Sequence, residues 1–183
     1  MLAGALLTLH VPAGAQEVLI ETTGNGELLT VTASAELQVD AGTAWATISD
    51  YDHLADFIPD MLSSRVIRRE GDRVLIEQTG RIGFLVFQQP VQVRLEVHES
   101  PQRRIEAHAV GGNLKEMEGR YALESLPSGA VRLTYTGHLV PGFAVPPVFG
   151  ALVVRNQLSK QFSALVREIV RRDLTARGAP QAP

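Results

Sequence analysis

The sequence predicts an α+β fold in which a curved antiparallel sheet of about seven strands wraps around one long C-terminal helix, with two short helices after the first strand. Three observations carry that reading. A clean two-residue alternation opens the globular part at Leu29, a series of strand-like segments joined by short turns fills the middle, and one apolar stripe at three- and four-residue spacing ends it. Only the last helix is long enough to cover such a sheet, so curling the sheet around it is the economical way to bury both surfaces.

Leu29, Val31, Ala33, Ala35, Leu37 and Val39 alternate with Thr30, Thr32, Ser34, Glu36 and Gln38, the pattern of a strand with one wet face. Asp40 follows, and its side-chain oxygen can accept the open amides of a helix beginning at Ala41. A second short helical turn follows Asp50-Tyr51-Asp52-His53 and closes at Phe57-Ile58-Pro59.

Strand-like segments then run over about 63–70, 73–80, 84–99, 103–110, 114–126 and 130–140. Glu70-Gly71-Asp72, Ser100-Pro101, Gly111-Gly112-Asn113 and Pro127-Ser128-Gly129 separate them, and links this short favour antiparallel neighbours. By parity the inward face carries small residues, Ala33, Ala35, Ala107, Ala109, Gly119 and Gly137, beside the large Phe87, Met117, Tyr121 and Tyr135. Small residues either admit the helix closely or leave volume for a ligand, and composition does not decide between the two.

After Pro146-Pro147 the spacing of Val154, Leu158, Phe162, Leu165, Val166, Ile169 and Val170 predicts a helix over Val148–Arg172, with Arg167, Arg171 and Arg172 placed favourably near its C-terminal end. The tail, 175–183, is rich in Ala, Pro and Gly and reads as disordered. At the other end, Leu2 to Leu9 is apolar and Ala13-Gly14-Ala15 has the small-x-small pattern of a signal-peptidase site, though no Lys or Arg precedes it. The expected organisation is a signal peptide over 1–15, a flexible lead-in over 16–26 and one ligand-binding domain over 27–174. That places the protein in the periplasm or outside the cell, with a cytoplasmic protein as the alternative.

Hydrophobic residues make up 45% and charged residues 20% of the chain, an ordinary globular composition. Seventeen basic against twenty acidic residues give a net charge of -3, which supplies no excess to neutralise phosphates and argues against nucleic acid as a partner. With no cysteine, disulfides and thiolate chemistry are excluded. His98, His108 and His138 fall on the polar face of separate strands without a paired ligand spacing, so no metal site is read, and no motif calls for a cofactor.

These residues resemble a known family. Val39–Pro59, with Asp40, Ala44, Trp45, Ile48, Asp50, Tyr51, Phe57 and Pro59, resembles the first helical segment of polyketide cyclase/dehydrase-type proteins of the START-like (SRPBCC) superfamily, a group that includes coenzyme Q-binding proteins. Gly119-Arg120-Tyr121-Ala122-Leu123 followed by Ser128–Tyr135 resembles that family's penultimate hairpin, and Pro146 before the last helix fits it. The resemblance implies the helix-grip fold, also called Bet v 1-like, and a lipid, quinone or polyketide-like molecule held between sheet and helix. Some members are cyclases or dehydratases and many only bind. The family offers no common catalytic triad, so the resemblance carries no catalytic residue across.

The ligand-lining candidates are Trp45, Phe57, Phe87, Ala107, Met117, Gly119, Tyr121, Tyr135, Phe143, Phe149, Arg155 and Asn156. Tyr121 and Tyr135 face inward, and a buried phenol needs a hydrogen-bond partner, which a ligand, water or the backbone can supply. Arg155 and Asn156 interrupt the apolar stripe near the start of the last helix and would anchor a polar group if they faced the sheet. Val140–Phe149 is a stiff apolar loop that either gates the cavity, touches a membrane transiently, or packs on the domain; Phe84 and Val86 are exposed by parity. The leading expectation is a binder or carrier of a small hydrophobic molecule. The alternatives are a cyclase or dehydratase using Tyr121, Tyr135 or Arg155 for proton transfer or carbonyl polarisation, and an envelope interaction module.

Overall fold

Residues 19–25, 28–84, 87–142 and 150–178 are described by a computed structural model. In chain order they form β1 (Leu19–Asn25), β2 (Leu28–Leu37), α1 (Ala41–Ile48), a 3-10 turn (Tyr51–Asp56), β3 (Met61–Glu70), β4 (Arg73–Phe84), β5 (Phe87–Ser100), β6 (Arg104–Gly112), β7 (Leu114–Ser125), β8 (Val131–Pro141) and α2 (Gly150–Gly178). Among the described residues the eight strands make one sheet in the order β1-β2-β8-β7-β6-β5-β4-β3, every neighbouring pair antiparallel. This is the helix-grip arrangement, with the long helix α2 held by the curved sheet.

Local chemistry sets the connections. Asp40 caps α1, its Oδ2 accepting from the Thr43 amide at 2.8 Å. Gly71 and Gly129 take positive φ, 61° and 81°, in the β3–β4 and β7–β8 turns, where a side chain would be strained. Asp60, with φ 64°, ends the segment after Pro59; its carbonyl accepts from the Arg81 amide at 2.9 Å and its carboxylate from Gln157 of α2 at 3.1 Å. The exposed edge strand β3 carries Arg65, Arg68 and Arg69 and two register shifts, and Asp52 accepts its Val66 amide at 2.7 Å, all of which discourage pairing with another chain.

Two expectations about the chain ends are corrected. The lead-in over 16–26 contains β1, paired with β2 from Leu19↔Ser34 to Asn25↔Leu28, which adds an edge strand beside the expected curved sheet. A strand at a sheet edge needs only one ladder and little apolar alternation of its own. The helix does not stop at Arg172 but continues through Gly178, because its last turns are tied down: Asp173 accepts the Asp40 amide at 2.8 Å and Arg177 at 2.7 Å, and Arg177 donates to the Gln38 carbonyl at 3.2 Å. The signal-peptide segment 1–15 and residues 179–183 lie outside the described residues.

The core follows the inward alternation. Ala33, Ala35, Leu37, Val74, Ile76, Val93, Leu95, Val97, Ile105, Val131 and Leu133 from the sheet close on Phe162, Leu165, Val166 and Ile169 of α2. A smaller cluster, Val31 and Val154 with Ile82, Tyr135, Leu139 and Leu158, lies under the start of the helix. The helix backbone comes close chiefly to α1 and to the flanks of the sheet, β1, β2 and β4, rather than to the middle strands.

Candidate functional site

The site lies on the inward face where the helix stands off. On β4 and β5 the inward Val74, Ile76, Val93, Leu95 and Val97 are buried, yet on β6 and β7 the inward Ala107, Ala109, Met117, Gly119 and Tyr121 keep accessible surface. The β6–β7 ladder extends only to His108↔Glu118. Beyond it the strands part: Ala109 to Gly112 stay with β5, and Leu114 to Met117 stay with β8, leaving inward Ala109 and Met117 on either side of the gap. Met117, Leu139, Tyr135 and Leu158 are the partly buried apolar residues at this end of the core.

Tyr121 and Tyr135 face each other directly across β7 and β8, their ring centroids 4.8 Å apart and their planes tilted by 46°. The two glycines beside them explain how Tyr135 fits. A Cβ on Gly137 would sit 2.5 Å from the Tyr135 hydroxyl, and one on Gly119 would sit 3.1 Å from it, so the ring lies flat over both glycines. Burial pushes the Tyr135 phenol up to about 12 and raises that of Tyr121 as well, the latter with help from Tyr135. Both are therefore neutral donors at ordinary pH. Neither hydroxyl is one of the buried polar atoms left without a hydrogen-bond partner among the described residues, which are Tyr51 Oη and Glu99 Oε1.

Trp45 on α1 packs half-buried against the main core, as does Phe57, whose ring also lies under the Arg172 guanidinium at 5.5 Å. Phe57 thus borders a surface cleft of about 430 Å³ with Asp50, His53, Asp56, Glu168 and Arg171. His53 is bonded to Asp50 through Nδ1 at 2.7 Å and is exposed in this cleft. Burial pulls the Asp50 carboxyl up, but His53 and Arg172 outweigh it and hold it below the usual carboxylate range. Three carboxylates in the cleft face two guanidiniums and the His53 imidazole.

Arg155 and Asn156 are corrected. Both are exposed: Val154 and Gln157 are the buried residues of that turn, and at 100° per residue 155 and 156 fall on the side away from that pair. The inward polar residue of that turn is Gln157, 8% exposed and bound to Asp60. Sequence reasoning also missed Gln78 and Ser64, which share the inward face with Val93 and bind each other at 3.1 Å. Period-two parity could have found Gln78, but the register shifts in β3 hid Ser64. Phe143 and Phe149 lie outside the described residues, as do Val86 and the side chains of Phe84 and Phe87. On the outer face His98, His108 and His138 stand beside Asp72, Glu96 and Glu118 respectively.

Solved structures share this architecture. An aromatase/cyclase, Zhui, from Streptomyces superposes with a TM-score of 0.68 at 15% identity, covering 83% of this chain and 99% of its own. A STAR-related lipid transfer protein from Xanthomonas axonopodis gives 0.66 at 13% identity, covering 86% and 99%. A START superfamily protein from Mycobacterium smegmatis gives 0.66 at 16% identity, covering 78% and 97%. At these identities the likeness shows the fold alone. No curated protein sequence matches the chain. The family model described as polyketide cyclase / dehydrase and lipid transport matches residues 37–166, from the end of β2 into the well-packed part of α2, and the chain therefore belongs to that START-like family.

Proposed function

We propose that the protein binds and carries a small hydrophobic molecule in the space between the middle of the sheet and the N-terminal half of α2. One observation supports the reading: Ala107, Ala109, Met117 and Tyr121 on β6 and β7 are only partly buried, while Val74, Ile76, Val93, Leu95 and Val97 on β4 and β5 are closed. Leaving such surface uncovered forgoes about 25 cal/mol per Å², and a ligand that covers it recovers that energy. The family description, which includes lipid transport, supports the same reading. Native mass spectrometry of protein purified from its own host, followed by organic extraction, is the test. A co-purifying apolar molecule that disappears in an Ala107→Phe variant of unchanged stability is the expected result; a wild-type protein that neither retains nor takes up any apolar molecule would sink it.

A second reading, a cyclase or dehydratase acting on the bound molecule, is favoured by the facing phenols of Tyr121 and Tyr135 and by the cyclase half of the family description. Neutral phenols beside a substrate carbonyl can polarise it or lend a proton. Turnover of an extracted ligand or a polyketide-like substrate that is lost in Tyr121→Phe and Tyr135→Phe would favour this reading over simple carriage.

A further inference from the structure

The β6–β7 ladder stops short of its hairpin turn. Its last pair is His108↔Glu118, and the next in that register would set Ala109 opposite Met117. Past His108 and Glu118 each strand is held by its outer neighbour instead, β6 by β5 and β7 by β8. The turn itself is fastened: the Asn113 side chain accepts the Gln92 amide at 2.9 Å and donates to the Pro90 carbonyl at 2.8 Å. The gap is thus fixed at the turn, and its width depends on whether the ladder zips past residue 108.

Charge collects on the outer face of that last pair. Glu96 on β5, His108 on β6, Glu118 on β7 and His138 on β8 are direct cross-strand neighbours, so carboxylate and imidazole alternate across four strands. His108 Nε2 stands 3.9 Å from Glu96 and His138 Nε2 3.7 Å from Glu118, so both pairs tie a strand to its outer neighbour rather than β6 to β7. The remaining outward charges around His108 are engaged with one another: Glu106 with Arg120 at 2.8 Å, Arg94 with Glu77 at 3.1 Å and His98 with Asp72 at 2.8 Å. Glu116 follows Glu118 on β7. The four side chains of the row are between 37% and 67% exposed, so protons reach them freely.

Histidine is the side chain whose charge ordinarily changes between pH 5 and 8. A protonated His108 stands between two carboxylates and attracts both, whereas a neutral one leaves Glu96 and Glu118 to repel each other across β6. We propose that His108 and Glu118 form a pH-sensitive clasp on the gap between β6 and β7: protonation of His108 draws Glu118 across, lets Ala109 pair with Met117 and slows passage of the apolar molecule, and deprotonation releases it. His138 competes for the same carboxylate from β8 and so weakens the clasp. This inference rests on the carrier reading above and adds a control on its site.

The probe is N-phenyl-1-naphthylamine, a neutral apolar fluorophore. Stopped-flow displacement gives its release rate at about pH 8 and about pH 5.5, on either side of the histidine range. Wild-type release should be about two- to fivefold slower at the lower pH, the scale of one exposed ion pair. That ratio should vanish in His108→Gln and be kept or enlarged in His138→Gln. Hydrogen exchange of amides 109–117, corrected for its intrinsic pH dependence, should slow at the lower pH in the wild type and not in His108→Gln. If the probe binds but its release is the same at both pH values, or if His108→Gln keeps the wild-type ratio, the clasp is wrong and the carrier reading survives. If no apolar probe binds, the carrier reading falls, and equal exchange of 109–117 at both pH values overturns the clasp as well.

Discussion

The two halves of α2 meet the same sheet in opposite ways. Its C-terminal half is seated: Phe162, Leu165, Val166 and Ile169 are buried, Asp173 accepts the Asp40 amide, Arg172 reaches Asp50, and Glu168 holds Arg171 and Arg172. Its N-terminal half covers a small cluster around Val31 and Val154, next to inward residues of β6 and β7 that it does not close. Close packing and the proposed ligand space thus fall to different turns of one helix. Opening the second region need not unfold the first.

The sharpest way to break this comparison is to remove a large side chain from each half. Phe162→Ala, at a position 1% exposed, should cost about 3–5 kcal/mol in denaturant unfolding, whereas Leu158→Ala, half-buried beside open surface, should cost well under that. Equal losses would mean the N-terminal half is packed as tightly as the other. Asp173→Ala should cost about 1.5–3 kcal/mol, since it strands the Asp40 amide and frees Arg177, and faster hydrogen exchange should be confined to α1 and the last turns of α2.

On the loose side, Gly137→Ala places a methyl group 2.5 Å from the Tyr135 hydroxyl and 3.0 Å from the Glu118 carbonyl oxygen. It should cost about 1–3 kcal/mol through overpacking and, unlike Asp173→Ala, lower ligand affinity by swinging the ring into the open space. Calorimetric binding of any apolar probe separates the two variants. A variant that binds as the wild type does would show that Tyr135 does not border the ligand.

A further effect is on acid stability. Arg171, with Arg172 adding to it against the opposing pull of burial, holds the Glu168 carboxyl at about 2, below its ordinary value of 4.5. A carboxyl depressed by folding stabilises fully above its unfolded value, and that contribution fades as pH falls from 4.5 toward 2. Melting temperatures of wild type and Glu168→Gln should therefore differ at pH 7 and converge across that acid window. A constant difference would assign the effect to packing instead of charge.

Much of the seated region was legible in the sequence. The alternation from Val31 to Val39, the Asp40 cap, the turn glycines and the stripe from Val154 to Val170 are local patterns, and each appears where periodicity puts it. The open region was less legible. Parity turned Tyr121 and Tyr135 inward, but nothing local showed that Tyr135 lies over Gly119 and Gly137, nor that Gln157 rather than Arg155 or Asn156 faces the sheet. A three-residue polar interruption in a helix has an ambiguous phase until the partner surface is known.

What the sequence by itself determined is the fold class and the sheet face that each strand presents to the helix, because a period of two or 3.6 is written into consecutive residues. Tertiary structure alone decided how far the helix stands from each strand. It also decided that residues 19–25 join the sheet and that the helix runs on to Gly178. Those outcomes depend on pairs far apart in the chain, such as Leu19 with Ser34 and Asp40 with Asp173, whose energies no single segment encodes. The partial burial of Ala109, Met117 and Tyr121 follows from the same cause, since how fully an inward side chain is covered is set by several distant elements.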